Sequence, residues 1–176
     1  MGTKKDRIQA LVYTSNAGHT REYAKLLGEA AKLPVYELSE AEKELPSGSG
    51  VFYLGWIMAG QIKGLKAAAK KYKVYAVAGV GMARTGTQLT DLRKTNGIAP
   101  TIPVFSIQGG FEMDKLKGMY RLMMMTMKKT VAKGLKEKAN RTPEEEENLR
   151  LLEVGGDLVD KANLEEILSW MDQAQE

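Results

Sequence analysis

The sequence contains no cysteine and only one histidine, and each shortage excludes a kind of chemistry. Without cysteine the chain forms no disulfide, no thiol nucleophile and no iron–sulfur or zinc–thiolate site. With His19 as the single histidine, a multi-histidine metal site and a serine–histidine hydrolase are not expected. We therefore expect no bound metal. Because cytosolic proteins rarely contain disulfides, the lack of cysteine also agrees with a cytoplasmic location.

Long apolar runs are also missing. No segment approaches the roughly 20 apolar residues that are needed to cross a bilayer. The apolar run at residues 8–13 is too short for a signal peptide. The chain has 176 residues, of which 43% are hydrophobic, and this is enough for one domain with a full core. We expect a single domain over residues 1–176.

Five short apolar runs, each bounded by turn residues, predict five buried strands. They lie at residues 7–14, 34–38, 51–56, 73–80 and 102–107, with helical patterns between them at 20–32, 62–72 and 87–96. This alternation predicts an α/β fold with a parallel sheet, helices on both faces and strand order 2-1-3-4-5. In such a sheet ligands bind at the carboxyl ends of the strands where the winding reverses, here between the first and third strands.

The first predicted strand ends in a loop of small and hydroxyl-bearing residues that opens a helix. This segment, called the phosphate loop below, consists of Thr14, Ser15, Asn16, Ala17, Gly18, His19 and Thr20. Backbone N–H groups at a helix start lack partners, and the helix dipole leaves partial positive charge there, so the loop suits a phosphate. No lysine lies within it, which favours a single terminal phosphate. Simple helix capping by Ser15 or Thr20 is the alternative.

The stretch Ser15-Asn16-Ala17-Gly18-His19-Thr20 resembles the flavodoxin phosphate loop, Ser/Thr-x-Thr-x-x-Thr, and the resemblance implies FMN as the cofactor. The chain departs from the pattern at Ala17, where a hydroxyl is usual. The missing side-chain hydrogen bond costs roughly 1 kcal/mol if nothing replaces it. The backbone N–H of Ala17 remains available to a phosphate.

The resemblance implies two further segments in the flavin site. They contain Trp56, Ile57 and Met58 after the third predicted strand, and Gly79, Val80, Gly81 and Met82 after the fourth. We expect Trp56 either to stack on the flavin ring or to belong to the core. The glycines either let backbone N–H groups approach the ring or form a tight strand-to-helix turn.

Residues 111–156 exceed the five-strand unit and predict a helical insertion before the last helix, which we expect at about 161–173. The insertion contains a helical pattern at 114–138 and a capped helix start at Thr142. A Gly109-Gly110 turn followed by a basic, Met- and Leu-rich helix is similar to the menaquinone-dependent protoporphyrinogen oxidase branch of the flavodoxin-like proteins. This resemblance implies an FMN-dependent oxidoreductase that acts on a quinone or a porphyrin-like molecule, with no catalytic residue assigned.

The inserted helix is basic and has an apolar stripe. Residues 111–141 include nine Lys or Arg and three Asp or Glu, a local net charge of +6. The stripe consists of Met119, Leu122, Met123, Met127 and Val131. Three uses stay open at this point: packing within the protein, a pliable surface for a quinone or porphyrin, and peripheral contact with the anionic inner face of a membrane.

Two other functions stay open. One is a flavodoxin-type electron carrier between redox protein partners, although flavodoxin carriers are typically acidic and this chain has a net charge of +4. The other is a binding module that has lost FMN, for which Ala17 is the sequence hint. A charge of +4 spread over this length is typical of a solvated surface, so no nucleic-acid partner is expected.

Overall fold

The computed structural model describes residues 2–175. Its strands are β1 (Ala10–Thr14), β2 (Val35–Glu37), β3 (Gly50–Met58), β4 (Gln61–Ile62), β5 (Lys73–Gly81), β6 (Val104–Gln108), β7 (Gly110–Phe111) and β8 (Gly156–Asp157). Its α-helices are α1 (His19–Ala31), α2 (Leu38–Ala41), α3 (Leu65–Lys71), α4 (Leu89–Asn96), α5 (Gly118–Glu137), α6 (Pro143–Val154) and α7 (Glu165–Met171). Short 3-10 helices lie at Lys4–Arg7, Met113–Lys115 and Lys161–Leu164.

The main sheet is parallel in the order β2-β1-β3-β5-β6, and only the short β4 is antiparallel to its neighbour. With β4 set aside, this is the predicted order 2-1-3-4-5, so the flavodoxin-like α/β fold is confirmed. The two faces of the sheet form separate apolar cores. Leu11 and Tyr13 of β1 pack beneath α1 and α7, whereas Val12 points to the opposite face with α3 and α4. Helices on both faces explain why the strands are apolar throughout.

The third strand is longer than the predicted residues 51–56, since it extends from Gly50 to Met58. It continues through Trp56, turns at Ala59 and Gly60, and returns as β4. Both turn residues have positive φ, 50° and 76°, which matches the turn geometry that twisted hairpins prefer. Trp56, Ile57 and Met58 therefore lie on the third strand itself and not after it, and the following helix begins at Leu65 instead of residue 62.

The insertion forms a small unit at the carboxyl end of the sheet. Strands β7 and β8 pair antiparallel and bring its two ends together. Its long helix begins at Gly118, later than the predicted residue 114, because Met113–Lys115 forms a 3-10 turn. Helix α6 begins as predicted, with Thr142 and Glu145 exchanging hydrogen bonds in a capping box. Among residues 2–175, no helix combines the length and apolar composition needed to span a bilayer.

Candidate functional site

A cleft of about 240 Å³, called the main cleft, opens at the carboxyl end of the sheet. The predicted site residues that line it are Ser15, Asn16, Ala17, His19, Thr20, Trp56, Ile57, Met58, Val80, Gly81 and Met82. They come from the phosphate loop and from the ends of β3 and β5. The cleft thus lies where the winding of the sheet reverses, the position at which open α/β sheets bind ligands.

Three predicted site residues do not line the main cleft. The Thr14 hydroxyl turns away from it and lies 2.7 Å from the Tyr53 hydroxyl. Gly18 is the residue just before α1. Its φ is +106°, a backbone conformation that residues with a side chain rarely adopt. Gly79 is buried beneath Ile57, where an added Cβ would lie 2.9 Å from Ile57 Cδ1. The absence of a side chain at Gly79 therefore allows Ile57 to pack on the sheet and line the cleft.

Two hydroxyls of the phosphate loop are buried without a hydrogen-bond partner. Within the described residues, such unpartnered side-chain atoms are Ser15 Oγ, Thr20 Oγ1 and Tyr72 Oη. An unsatisfied buried polar group costs about 1–3 kcal/mol, so two of them at one helix start require an explanation. The oxygens of a phosphate ester would accept hydrogen bonds from both hydroxyls and from the free N–H groups of the helix start. The residues present fit a phosphate.

Ala17 packs against the apolar core of the insertion. This core consists of Phe111, Leu116, Leu151 and Leu152. A hydroxyl at position 17 would lie at the edge of this apolar cluster, where an unpaired polar group is unfavourable. The departure from the flavodoxin pattern at Ala17 thus coincides with a contact that the insertion creates.

His19 and Glu112 connect the phosphate loop to the insertion. His19 Nε2 lies 2.6 Å from Glu112 Oε2, and the two side chains are only 11% and 22% exposed. Lys115 Nζ lies 3.0 Å from the same carboxylate oxygen. Partial burial raises the pKa of the Glu112 carboxyl, but hydrogen bonds from Lys115 and His19 outweigh it and hold the pKa below its ordinary value. The carboxylate is therefore held ionised beside the loop.

Asp157 adds a third potential metal ligand to this network. The ligand atoms of His19, Glu112 and Asp157 lie within 4.8 Å of one another. Imidazole and carboxylate groups bind zinc and other divalent cations. A cation would, however, have to displace Lys115 from the Glu112 oxygen that it already contacts. We interpret the cluster as an ion-pair network that fastens the insertion to the phosphate loop.

The insertion supplies six residues of the cleft lining, and of these only Met127 was singled out in the sequence. They are Phe111, Glu112, Leu116, Met124, Met127 and Asn148, and the sheet side adds Ala59, Ala83, Gln88, Ser106 and Gly110. The many methionines of α5 were the sequence signal that this helix lines a binding site. Of the apolar stripe predicted on α5, only Met127 lines the main cleft. Trp56 is half-buried, lies outside the core clusters and meets the Tyr120 ring edge-on, with centroids 5.0 Å apart.

A second cavity, of about 510 Å³, adjoins the same loop and is called the outer cavity. It is lined by Tyr13, Ser15, Asn16, Ala17, Gly18, Arg21, Glu37, Asp114, Lys115 and Lys117. The main cleft and the outer cavity share Ser15, Asn16 and Ala17, so a group held in the loop borders both.

Comparison of the chain with protein-family models, with curated proteins and with solved structures finds no match. The chemistry of the cleft is inferred below from its own residues and from the resemblance of the phosphate loop.

Proposed function

We propose that this chain is an FMN-dependent oxidoreductase, with the FMN phosphate in the phosphate loop and the flavin ring in the main cleft. The observation that carries the proposal is the pair of buried, unpartnered hydroxyls of Ser15 and Thr20 in the lining of a largely apolar cleft. The ring would lie between the strand ends at Trp56–Met58 and Val80–Met82. FMN, when bound, supplies the electron-transfer chemistry, and the protein binds and orients it.

The lining of the cleft favours a flat, apolar substrate. Four methionines line it, namely Met58, Met82, Met124 and Met127. Methionine side chains are flexible and polarizable, and they adapt to large apolar molecules. A quinone or a porphyrin-like molecule has this character, and the resemblance to menaquinone-dependent protoporphyrinogen oxidases supports the same class. We accordingly propose quinone and porphyrin-like compounds as the substrates to test.

Peripheral membrane contact through α5 belongs to the same proposal, in a cytoplasmic protein that touches the inner face of a membrane. Met119 and Leu122 are 77% and 67% exposed, although both are large apolar side chains. They lie in a segment, residues 111–141, whose net charge is +6. An exposed apolar face with basic neighbours suits an anionic lipid surface, which would bring a lipid-soluble quinone close to the main cleft.

FMN binding is the first test. Adding the purified protein to FMN should quench flavin fluorescence, and Thr20→Val should weaken this binding about tenfold because one hydrogen bond to a charged phosphate is lost. Riboflavin has the same ring without the phosphate, so its binding should not respond to Thr20→Val. Thr95→Val, an exposed position on α4, serves as the matched control. An absence of FMN binding, or an equal effect of Thr20→Val on FMN and riboflavin, would refute the proposal.

An activity assay distinguishes the proposed oxidoreductase from the alternative, a flavodoxin-type electron carrier. FMN-loaded protein should oxidise porphyrinogen with a menaquinone analogue as acceptor. A flavodoxin-type carrier would instead exchange electrons with a redox protein partner and turn over neither small molecule. FMN binding together with that second result would favour the carrier.

A further inference from the structure

The outer cavity brings three cationic side chains to the border of the phosphate loop. Arg21 comes from the first turn of α1, and Lys115 and Lys117 come from the insertion. The backbone N–H of Lys117 donates to Asn16 Oδ1 at 2.9 Å, so this part of the insertion is fastened directly to the phosphate loop. The loop itself contains no lysine, and the fold brings cations to it from elsewhere in the chain.

Two of these cations are not neutralised by a neighbouring carboxylate. Lys115 forms an ion pair with Glu112. Within residues 2–175, neither Arg21 nor Lys117 has a carboxylate oxygen within ion-pair distance. Both side chains are exposed and border a cavity that starts at the phosphate loop. A second phosphate, joined to the one in the loop, would lie within this group of cations.

The outer cavity also contains two carboxylates, and their negative charge would repel a free phosphate ion. Glu37 is the last residue of β2 and pairs in register with Tyr13, so it lies beside the loop at the carboxyl end of the sheet. Asp114 faces the cavity from the insertion. Carboxylates accept hydrogen bonds from sugar hydroxyls, and in dinucleotide-binding folds an acidic residue about 20 positions after the glycine loop binds the ribose in this way. Cations and carboxylates together match a nucleotide better than an inorganic anion.

We propose that the outer cavity receives the adenylate half of a flavin dinucleotide, so that the chain binds FAD as well as FMN. The phosphate loop would hold the phosphate next to riboflavin, Arg21 and Lys117 the second phosphate, and Glu37 the ribose hydroxyls. This inference rests on the proposed function, because it places the flavin half of the dinucleotide in the main cleft.

Parallel titrations with FMN and FAD test the inference. The wild-type protein should bind FAD at least as tightly as FMN. Lys117→Gln and Glu37→Gln should each weaken FAD binding about tenfold, the effect of losing one charge-assisted hydrogen bond, and leave FMN binding unchanged. Lys25→Gln, at an exposed position of α1 that lines neither cavity, is the matched control and should change neither. Circular dichroism of each variant establishes that the fold is retained.

The outcomes separate this inference from the proposed function. If FMN binds but FAD binds much more weakly, or if both variants affect the two flavins equally, the adenylate site is refuted while the FMN site stands. If neither flavin binds, the proposed function is refuted and this inference with it.

Discussion

His19 Nε2 and Glu112 Oε2 lie 2.6 Å apart, although 93 positions separate the two residues in the sequence. His19 is the first residue of α1, and Glu112 follows β7 at the start of the insertion. This non-covalent contact therefore joins two walls of the main cleft that are far apart in the sequence. Because both side chains are mostly buried, the pair helps to hold the insertion over the phosphate loop, together with the hydrogen bond from the Lys117 N–H to Asn16 Oδ1.

The pair predicts a specific dependence of stability on pH. Burial raises the pKa of Glu112, but hydrogen bonds from Lys115 and His19 leave it below the ordinary value of 4.5. A carboxyl whose pKa is lower in the folded state stabilises the fold fully above its unfolded pKa, and this contribution disappears as the pH falls through the folded pKa. Glu112→Gln should therefore unfold more easily than wild type at neutral pH, and the difference should shrink as the pH falls below the ordinary carboxyl pKa of 4.5.

Urea denaturation at several pH values measures this difference. Glu29→Gln, at an exposed position of α1, is the control and should give a curve parallel to wild type. If the difference between Glu112→Gln and wild type instead stays constant as the pH falls, ionisation of Glu112 does not contribute to folding stability.

Thr20→Val should stabilise the flavin-free protein. The Thr20 hydroxyl is buried without a partner, and valine has nearly the same shape with no polar group to leave unsatisfied. We expect the free energy of unfolding to rise by about 1 kcal/mol. The same substitution should weaken FMN binding, so stability and binding should change in opposite directions. A Thr20→Val protein less stable than wild type in the absence of flavin would show that the hydroxyl is satisfied without a ligand.

Much of the sheet could be predicted from the sequence because its strands are short apolar runs between turn residues. The turn at Ala59 and Gly60 was missed because alanine at positive φ gives no local signal of a hairpin. The His19–Glu112 contact could not be predicted for a different reason: no periodicity relates residues that are brought together only by the tertiary fold. The loop motif identified one side of the cleft, and the insertion, whose packing is decided by its own small core, supplied the other.

The position of Trp56 in the lining of the main cleft predicts a spectroscopic signal of flavin binding. Trp56 lines the main cleft, whereas Trp170 is a partly buried residue of α7 that packs against Phe52 and Phe105 of the core. In a Trp170→Phe variant, FMN should quench most of the remaining tryptophan fluorescence, because Trp56 would lie next to the flavin ring. In a Trp56→Phe variant, FMN should change the emission of Trp170 much less. Equal quenching in the two variants would contradict a flavin ring beside Trp56.

The carboxyl end of α1 offers a test of local backbone energetics away from the site. Lys32 caps this helix with φ 57°, a left-handed conformation that glycine adopts without steric cost. Lys32→Gly should raise the free energy of unfolding by about 0.5–1 kcal/mol. Lys25→Gly, in the exposed middle of the same helix, should lower it by about 1 kcal/mol. Thermal denaturation of the two variants distinguishes the left-handed cap from a general effect of glycine.

The exposed face of α5 predicts reversible binding to anionic membranes. Met119 and Leu122 are uncovered, and Arg121 and Lys129 on the same helix have no ion-pair partner within the described residues. Each cation near an anionic lipid surface contributes about 1 kcal/mol before screening. The protein should therefore sediment with vesicles that contain phosphatidylglycerol and not with neutral phosphatidylcholine vesicles. High salt should release it, because salt screens exposed charges.

Substitutions on two helices decide whether α5 is responsible for this binding. Leu122→Glu should abolish sedimentation, since it removes apolar contact and adds a negative charge. Val154→Glu makes the same change at a position of α6 that is 73% exposed and should leave sedimentation unchanged. If Leu122→Glu still sediments with the vesicles, or if Val154→Glu abolishes sedimentation as well, the face of α5 is not responsible for membrane binding. Because neither residue lines the main cleft, FMN binding should be normal in both variants, which separates membrane contact from loss of the fold.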